Sequence, residues 1–455
     1  MTDTATLSET LAAWVAGLEW DAVPEGQRSL VGLRVLDTVG LVFAGRGTDA
    51  ARAALDLVEG QGGTAEATLL VDGTRLPATE VAFAQALIAH CRDFDDTFLD
   101  SVVHPGSVVI GAALAAGEAC GADDATIGVA IVAGYEIAAR LGAAGGRDFH
   151  GHGFHATGIV GTYAATAAAG RIMGLSADQI ADAFGLAASL SGGLMAFVED
   201  GSWSKWLHAG HAARSGIVAA RLAARGFRGP RGVIDGRYGL YGAYLGDPDR
   251  DLTAISDGLG VSWAGGDAHF KYYPCAHVIQ PYIDAALALR REHGLTAGDV
   301  AEVTCVIAPW AVPIVCEPRP PRIVPASEMD AIASLPFQVA GALADGAVTL
   351  TILDAETRAR ADLHDLAGRI THRSDPSLGH GFDGSLELVT RDGRRLMAPA
   401  TSAPPDPARI VDKFRANAAL PPKLAAALEQ AVLGGPLPDF GRLGGLHLAA
   451  SEAES

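Results

Sequence analysis

Cysteine is scarce and scattered: the five in the chain stand at 91, 120, 275, 305 and 316. Their number is odd and no two share a CxxC spacing, so neither a disulfide framework nor a thiolate metal site follows, and a reducing, cytoplasmic setting fits. Aromatic residues are only 6% of the chain, too few for a β-rich core built on large side chains. Ala and Gly must supply much of the packing, which favours helices that approach closely. Basic runs are missing as well. With a formal net charge of −19 and no clustered Lys and Arg, the sequence argues against nucleic-acid binding, because phosphate backbones are held by local positive charge. No uninterrupted apolar stretch reaches bilayer length: IGVAIVAGYEIAARLGAAGG is broken by Glu136 and Arg140. It reads as a buried helix, so no membrane partner is expected. The N-terminal MTDTATLSETLAAWVAGLEW has no basic start leading into an apolar run and reads as an amphipathic helix, not a secretion signal.

The 455 residues that remain to be explained exceed what one hydrophobic core usually holds, so two domains are expected. LVGLRVLDTVGLVFAG has helical spacing, TLLVDGTRLPA reads as a brief hairpin turning at Asp72-Gly73, and EVAFAQALIAHCR returns to helix. From 107 to about 226 nearly everything is helical, in segments closed by Gly. Ser176 with Gln179 forms a capping box. The character changes near 265: AEVTCVIAP, VTLTILD and the pair around Asp392-Gly393 alternate like half-buried strands, beside a helical DAALALRREHG. After the Pro-rich TSAPPDPARI, helix resumes in PPKLAAALEQAVLGG. The fold class is therefore mainly α, with a large all-α helical domain and a smaller α+β domain.

The stretch HCRDFDDTFLDSVVHPG places four aspartates, 93, 95, 96 and 100, within eight positions between His90 and His104. As DxDxT it resembles a phosphatase nucleophile motif, but that chemistry needs a β-branched strand upstream, and an Ala-rich helix precedes it here. Asp95, Asp96 and Asp100 could instead hold Mg²⁺ against a diphosphate in an all-α enzyme, since carboxylates suit a hard cation. The partner acidic motif on a facing helix is missing, which leaves that a remote alternative. A solvated, helix-capping loop explains any single Asp but not the company of His90, Thr97 and His104. Three further stretches are unusually polar for their surroundings: GHGFHATG at 151–158, SWSKWLHAGHAARSG at 202–216 and KYYPCAH at 271–277. Each alone is weak, because a lone His in an Ala-rich helix is more often a satisfied core residue.

Together, in order and spacing, these stretches and DTVGLVFAG, GYEIAARLG, ASLPFQVAGALADG and KFRANA resemble the MmgE/PrpD family over nearly the whole chain. The resemblance implies an all-α domain built from both ends of the chain (1–264 with 403–455), an α+β lid domain over 265–402, and a homodimer. It also implies metal-free and cofactor-free chemistry on a small-molecule polycarboxylate. The family's site positions carry over to Asp93, Thr97, His104, His155, Lys205 and His277, with Lys271 as a possible further cation. Removing water or CO₂, or epimerising, puts negative charge on a carbon beside a carboxylate, which demands a base, an acid and cations. The expected roles are thus His104 and His155 as acid/base pair, Asp93 orienting an imidazole, Lys205, His277 and Lys271 clamping carboxylates, and Thr97 donating a hydrogen bond. Tyr135, Tyr272 and Tyr273 stand in reserve as proton donors. The function expected is a lyase, dehydratase ahead of decarboxylase, on an acid such as 2-methylcitrate or cis-aconitate. An isomerase or epimerase of an iminodisuccinate-like dicarboxylate is the alternative in the same fold.

Overall fold

The computed structural model describes residues 5–435, 437–441 and 443. Two compact units emerge, one formed by residues up to 270 together with those from 407 on, the other by 271–406.

The first unit is a bundle of helices whose small residues let backbones touch. In the helix Ala156–Ile172 every residue but Arg171 is buried. It packs against the helix Ser204–Ala223, where a Cβ on Gly216 would come within 2.6 Å of the Ala165 carbonyl carbon. Gly210 of the same helix lies equally close to Ala78–His90, its added Cβ falling 2.6 Å from the Phe83 carbonyl oxygen. Alanine and glycine here set the interhelical distance, which is how a chain poor in aromatics still fills its core. Helix starts follow their local chemistry: Thr6 with Glu9 and Ser176 with Gln179 make capping boxes, satisfying N–H groups that a helix cannot pair internally. The helix Asp124–Gly145 is long and apolar enough to cross a membrane by length and composition, but 89% of its most apolar window is buried inside the protein. Its charged residues serve the fold. Arg140 pairs with Glu136 at 2.6 Å and donates to the carbonyls of Ile255, Asp257 and Ser262, while Glu136 accepts from the Gly265 N–H. The helices Pro407–Ala418 and Pro422–Leu433 pack on Glu25–Gly45.

The second unit carries a four-stranded sheet in the order 370–374, 300–307, 384–390, 395–400, in which only the first pair is parallel. The hairpin at Asp392-Gly393 forms as its sequence implies, with Gly393 at φ 88°. Strand Gly384–Thr390 buries Leu386, Leu388 and Thr390 in alternation. The expected strand in VTLTILD does not form. Residues 350–353 make a 3₁₀ turn burying the adjacent Ile352 and Leu353, and two neighbours facing one core cannot belong to a two-faced strand. The parallel strand Ile370–Ser374, short and polar, carried no such alternation. Mainly α with a smaller α+β part is the architecture the sequence implied.

Candidate active site

The aspartate-rich loop joins the helices Ala78–His90 and Pro105–Cys120, and two of its carboxylates are fasteners. Asp95 accepts from His90 Nδ1 at 2.9 Å and from the Ser107 hydroxyl at 2.7 Å. Asp96 accepts from the Gly106 N–H at 2.8 Å, in the first turn of the second helix, and from the Tyr135 hydroxyl at 2.7 Å. Carboxylates are favourable at a helix N-terminus, where N–H groups are unpaired and the dipole is positive. Burial pushes the Asp96 carboxyl up to about 6, against the opposing pull of the Arg34 guanidinium and the Tyr135 hydroxyl. That guanidinium lies 3.8 Å from the centre of the Tyr135 ring and donates to the Gly265 carbonyl. Asp100 is exposed. Two of the three acids required by the Mg²⁺-diphosphate alternative are thus already engaged by two protein donors each, and the third is exposed to solvent.

Asp93 differs from these. It holds a left-handed φ of 46°, its N–H donates to the His90 carbonyl at 3.0 Å, and its Oδ2 meets the Lys205 ammonium at 2.6 Å. Both side chains are buried. The Phe94 carbonyl beside it accepts from Lys413 at 2.8 Å. Lys413 in turn pairs with Asp37 of helix Glu25–Gly45 at 2.7 Å, and its ammonium sits 4.0 Å from the centre of the Phe94 ring. A non-glycine residue at positive φ persists only where its surroundings hold it, and His90 and Lys413 supply two of those holds.

His104 stands immediately before the helix Pro105–Cys120 and His155 immediately before Ala156–Ile172, neither side chain bonding to the helix N–H groups, so both imidazoles leave the backbone at helix starts and remain available to the site. His104 Nδ1 lies 3.1 Å from the Asp96 carbonyl and 3.0 Å from Thr97 Oγ1. A carbonyl only accepts, so Nδ1 carries a proton and Nε2 is left to face the site. Asp93 Oδ1 approaches that Nε2 to 3.9 Å. The backbone N–H of His104 donates to Thr157 Oγ1 at 3.1 Å, which ties the two helix starts together. The His104 and His155 ring centres are 6.3 Å apart. Burial above all, then Lys205 and the neighbouring imidazoles, holds His155 well below the usual histidine range, so its ring is neutral at neutral pH. Asp93, Thr97, His104, His155 and Lys205 therefore converge in the first unit. Lys271 and His277 belong to the second unit, His277 opening the 3₁₀ turn that leads into helix Gln280–His293, with its ring edge-on to Phe382 at 5.7 Å.

Sequence reasoning gave no role in the site to several neighbours. His90 stacks on His155 with centres 6.0 Å apart, His150 lies 6.0 Å from it, and His208 Nδ1 meets His155 Nδ1 at 3.1 Å. His208 had a signal: it stands three residues after Lys205 on one helix, a spacing that puts both on the same face. The reserve tyrosines are otherwise engaged. Tyr135 donates to Asp96, Tyr273 to Asp284 at 2.6 Å and Tyr272 to the Pro404 carbonyl at 3.1 Å.

As a donor set, Asp93, Asp95 and His104 bring one ligand atom each within 4.8 Å of one another, a grouping that could receive a cation. The chemistry of those donors argues for a different use. Asp93 already faces the Lys205 ammonium, and Asp95 accepts from His90 and the Ser107 hydroxyl, so protein donors engage both carboxylates.

Against known proteins, the MmgE/PrpD N-terminal domain family model matches residues 9–253 and the MmgE/PrpD C-terminal domain family model matches residues 273–433. The chain is similar to the cis-aconitate decarboxylase of Mus musculus, 26% identical over 438 residues covering 90% of this chain and 86% of that protein. It is also similar to the Homo sapiens cis-aconitate decarboxylase, 27% identical over 432 residues, 90% of this chain and 88% of that one. The Aspergillus terreus (strain NIH 2624 / FGSC A1156) cis-aconitate decarboxylase is 28% identical over 233 residues, 49% of this chain and 47% of its own length.

Proposed function

The chain belongs to the MmgE/PrpD family, and from that premise we propose that it is a cofactor-independent lyase for a small di- or tricarboxylate. The reading rests on one arrangement: two buried imidazoles 6.3 Å apart beside an ammonium held at 2.6 Å by Asp93. Loss of CO₂ or water from such an acid leaves an electron pair on a carbon next to a carboxylate. A neutral imidazole can take or return the proton there, and each well-placed transfer is worth about 10²- to 10⁴-fold in rate. Lys205 has three donors, so it can engage a substrate carboxylate while keeping Asp93. In a buried site such a fixed charge acts far more strongly on developing negative charge than it would in water.

Among lyase reactions, the relatives' names favour decarboxylation of a cis-aconitate-like acid, in which the carbon–carboxylate bond breaks and an imidazole N–H delivers a proton to that carbon. Dehydration of a 2-methylcitrate-like hydroxy acid is the next reaction to test. Two imidazoles flanking one space also suit removal of a proton from one face of a carbon and its return to the other. An epimerase of an iminodisuccinate-like dicarboxylate is therefore the second reading.

The test is NMR of chelator-treated protein in D₂O with cis-aconitate, citrate, 2-methylcitrate and iminodisuccinate. Loss of CO₂ or a new alkene is the expected result. Deuterium exchange with inverted configuration and no bond cleavage would make the protein an epimerase. Inertness toward all four acids, or a requirement for added Mg²⁺, would refute the reading.

A further inference from the structure

His155 and His208 face each other through the same ring atom. Their Nδ1 atoms are 3.1 Å apart and their ring centres 5.3 Å apart at 48°. A hydrogen bond between two Nδ1 atoms requires one proton and one lone pair, so the tautomers are locked in opposition. When His155 holds the Nδ1 proton, its Nε2 is a base and His208 carries its own proton on Nε2. When His208 holds the Nδ1 proton, His155 Nε2–H is an acid. The pair is built, not incidental. His155 is fixed through its N–H to the Gly193 carbonyl at 3.0 Å. Gly193, at φ 146°, lays its backbone against the His208 ring so closely that a Cβ there would stand 3.0 Å from Cγ and Nδ1. Phe197 closes on both rings, at 5.6 Å from His155 and 6.1 Å from His208.

We propose that His208 is the second half of a two-imidazole relay, passing through His155 Nδ1 the proton that His155 exchanges with substrate at Nε2. The inference rests on the lyase reading above and deepens it. In the forward sense, a substrate proton adds to His155 Nε2, the Nδ1 proton of His155 moves to His208 Nδ1, and the Nε2 proton of His208 leaves to water. One proton enters and one leaves. The reverse sequence carries a proton from water to the carbon vacated by CO₂. Neither ring carries a full positive charge at the start or the end of a pass, and the same hops run with solvent protons at both ends return the pair to its first tautomer before the next turnover. That feature answers a difficulty of the site: burial, Lys205 and the surrounding imidazoles disfavour imidazolium at both positions, so a lone His155 would be a poor base. His208 does not touch substrate in this scheme and is a positioning and relay residue.

Two measurements test it. In ¹⁵N-histidine-labelled protein at pH 7 without substrate, His155 and His208 should report opposite Nδ1 states, one protonated and one not; identical states would overturn the pairing. His208→Gln keeps a hydrogen bond to His155 Nδ1 but cannot pass a proton. Its kcat should fall about 10²-fold or more with KM within about twofold. His208→Ala, which opens a cavity, should recover part of its lost kcat when free imidazole is added, whereas a residue needed only for packing would not be rescued by a proton carrier. Wild-type kcat in His208→Gln, or no rescue in His208→Ala, would sink the relay while leaving the lyase reading intact. If the unmodified protein turns over none of the test acids, the lyase reading fails and the relay fails with it.

Discussion

Replacing Lys413 with Met removes an ammonium that does three things from one buried position: it pairs with Asp37 at 2.7 Å, donates to the Phe94 carbonyl at 2.8 Å and lies against the Phe94 ring. Both charged side chains retain only 4% of their exposure. Burial, with a smaller push from the Asp95 charge, drives the Asp37 carboxyl up, and Lys413 pulls it back. Without the lysine, a carboxylate is left in the core. Breaking a buried pair from one side costs about 3–5 kcal/mol. With an unfolding entropy of about 2.1 cal/mol/K per residue over some three hundred residues, that becomes roughly 5–8 °C in Tm. Differential scanning calorimetry of the full chain at pH 7 reads it directly, and the double replacement Asp37→Leu/Lys413→Met should regain most of the loss, because no lone charge remains. The same single variant should also lower turnover, since Phe94 sits between Asp93, whose φ is positive, and Asp95, which holds His90. A Lys413→Met protein melting within about 1 °C of the unmodified one would refute the reasoning, as would a double variant no more stable than the single.

Acid should weaken the first unit as pH falls from 6.5 toward 4. His150 and His208 are held down at about 4, chiefly by burial, so each binds its proton in the unfolded chain before the folded one, and the stability present above pH 6.5 drains away through that window. Asp96 works the other way: raised to about 6, it favours folding below its unfolded value of about 3.8, a contribution lost as pH rises through 6. Asp96→Asn should therefore steepen the net acid loss in urea unfolding followed from pH 4 to 7, and an unchanged slope would contradict the assignment. Gly158→Ala would drive a Cβ into the Gly192 carbonyl and to 3.1 Å from His208 Cβ. A cost of about 1–3 kcal/mol is expected, with kcat falling more than Tm alone explains; wild-type kcat would show that the His155–His208 geometry tolerates the shift. Thr97→Val, which removes the hydroxyl 3.0 Å from His104 Nδ1, should reduce kcat by a smaller factor than His104→Ala, and equal losses would mean that the Asp96 carbonyl alone does not hold the ring.

Much of the fold is legible in the sequence because it is local. A capping box is four residues, a hairpin turn is Asp-Gly between alternating runs, and an Ala- and Gly-rich helix announces itself by spacing. The failure at 348–354 has a local cause too: alternation in VTLTILD mimics a strand, and only packing reveals that Ile352 and Leu353 face the same core. In the site, His104, His155 and Lys205 were legible because each stands with other polar residues at a helix start. His208 was overlooked because a histidine within an Ala-rich helix looks like core, and its partner lies 53 positions away.

The sequence by itself determined the helical character, the family and the polar stretches that meet in the candidate site, since these depend on residue type and near-neighbour spacing. Tertiary structure decided what each charge is for. Asp93, Asp95 and Asp96 are nearly indistinguishable in the chain, yet one faces an ammonium, one a histidine and one a helix N-terminus. Nothing around Lys413 in the chain shows that it is buried, or that it holds a carbonyl 319 positions away. A charge takes its role from the dielectric and the partners around it, and those come from chain segments that no local pattern connects.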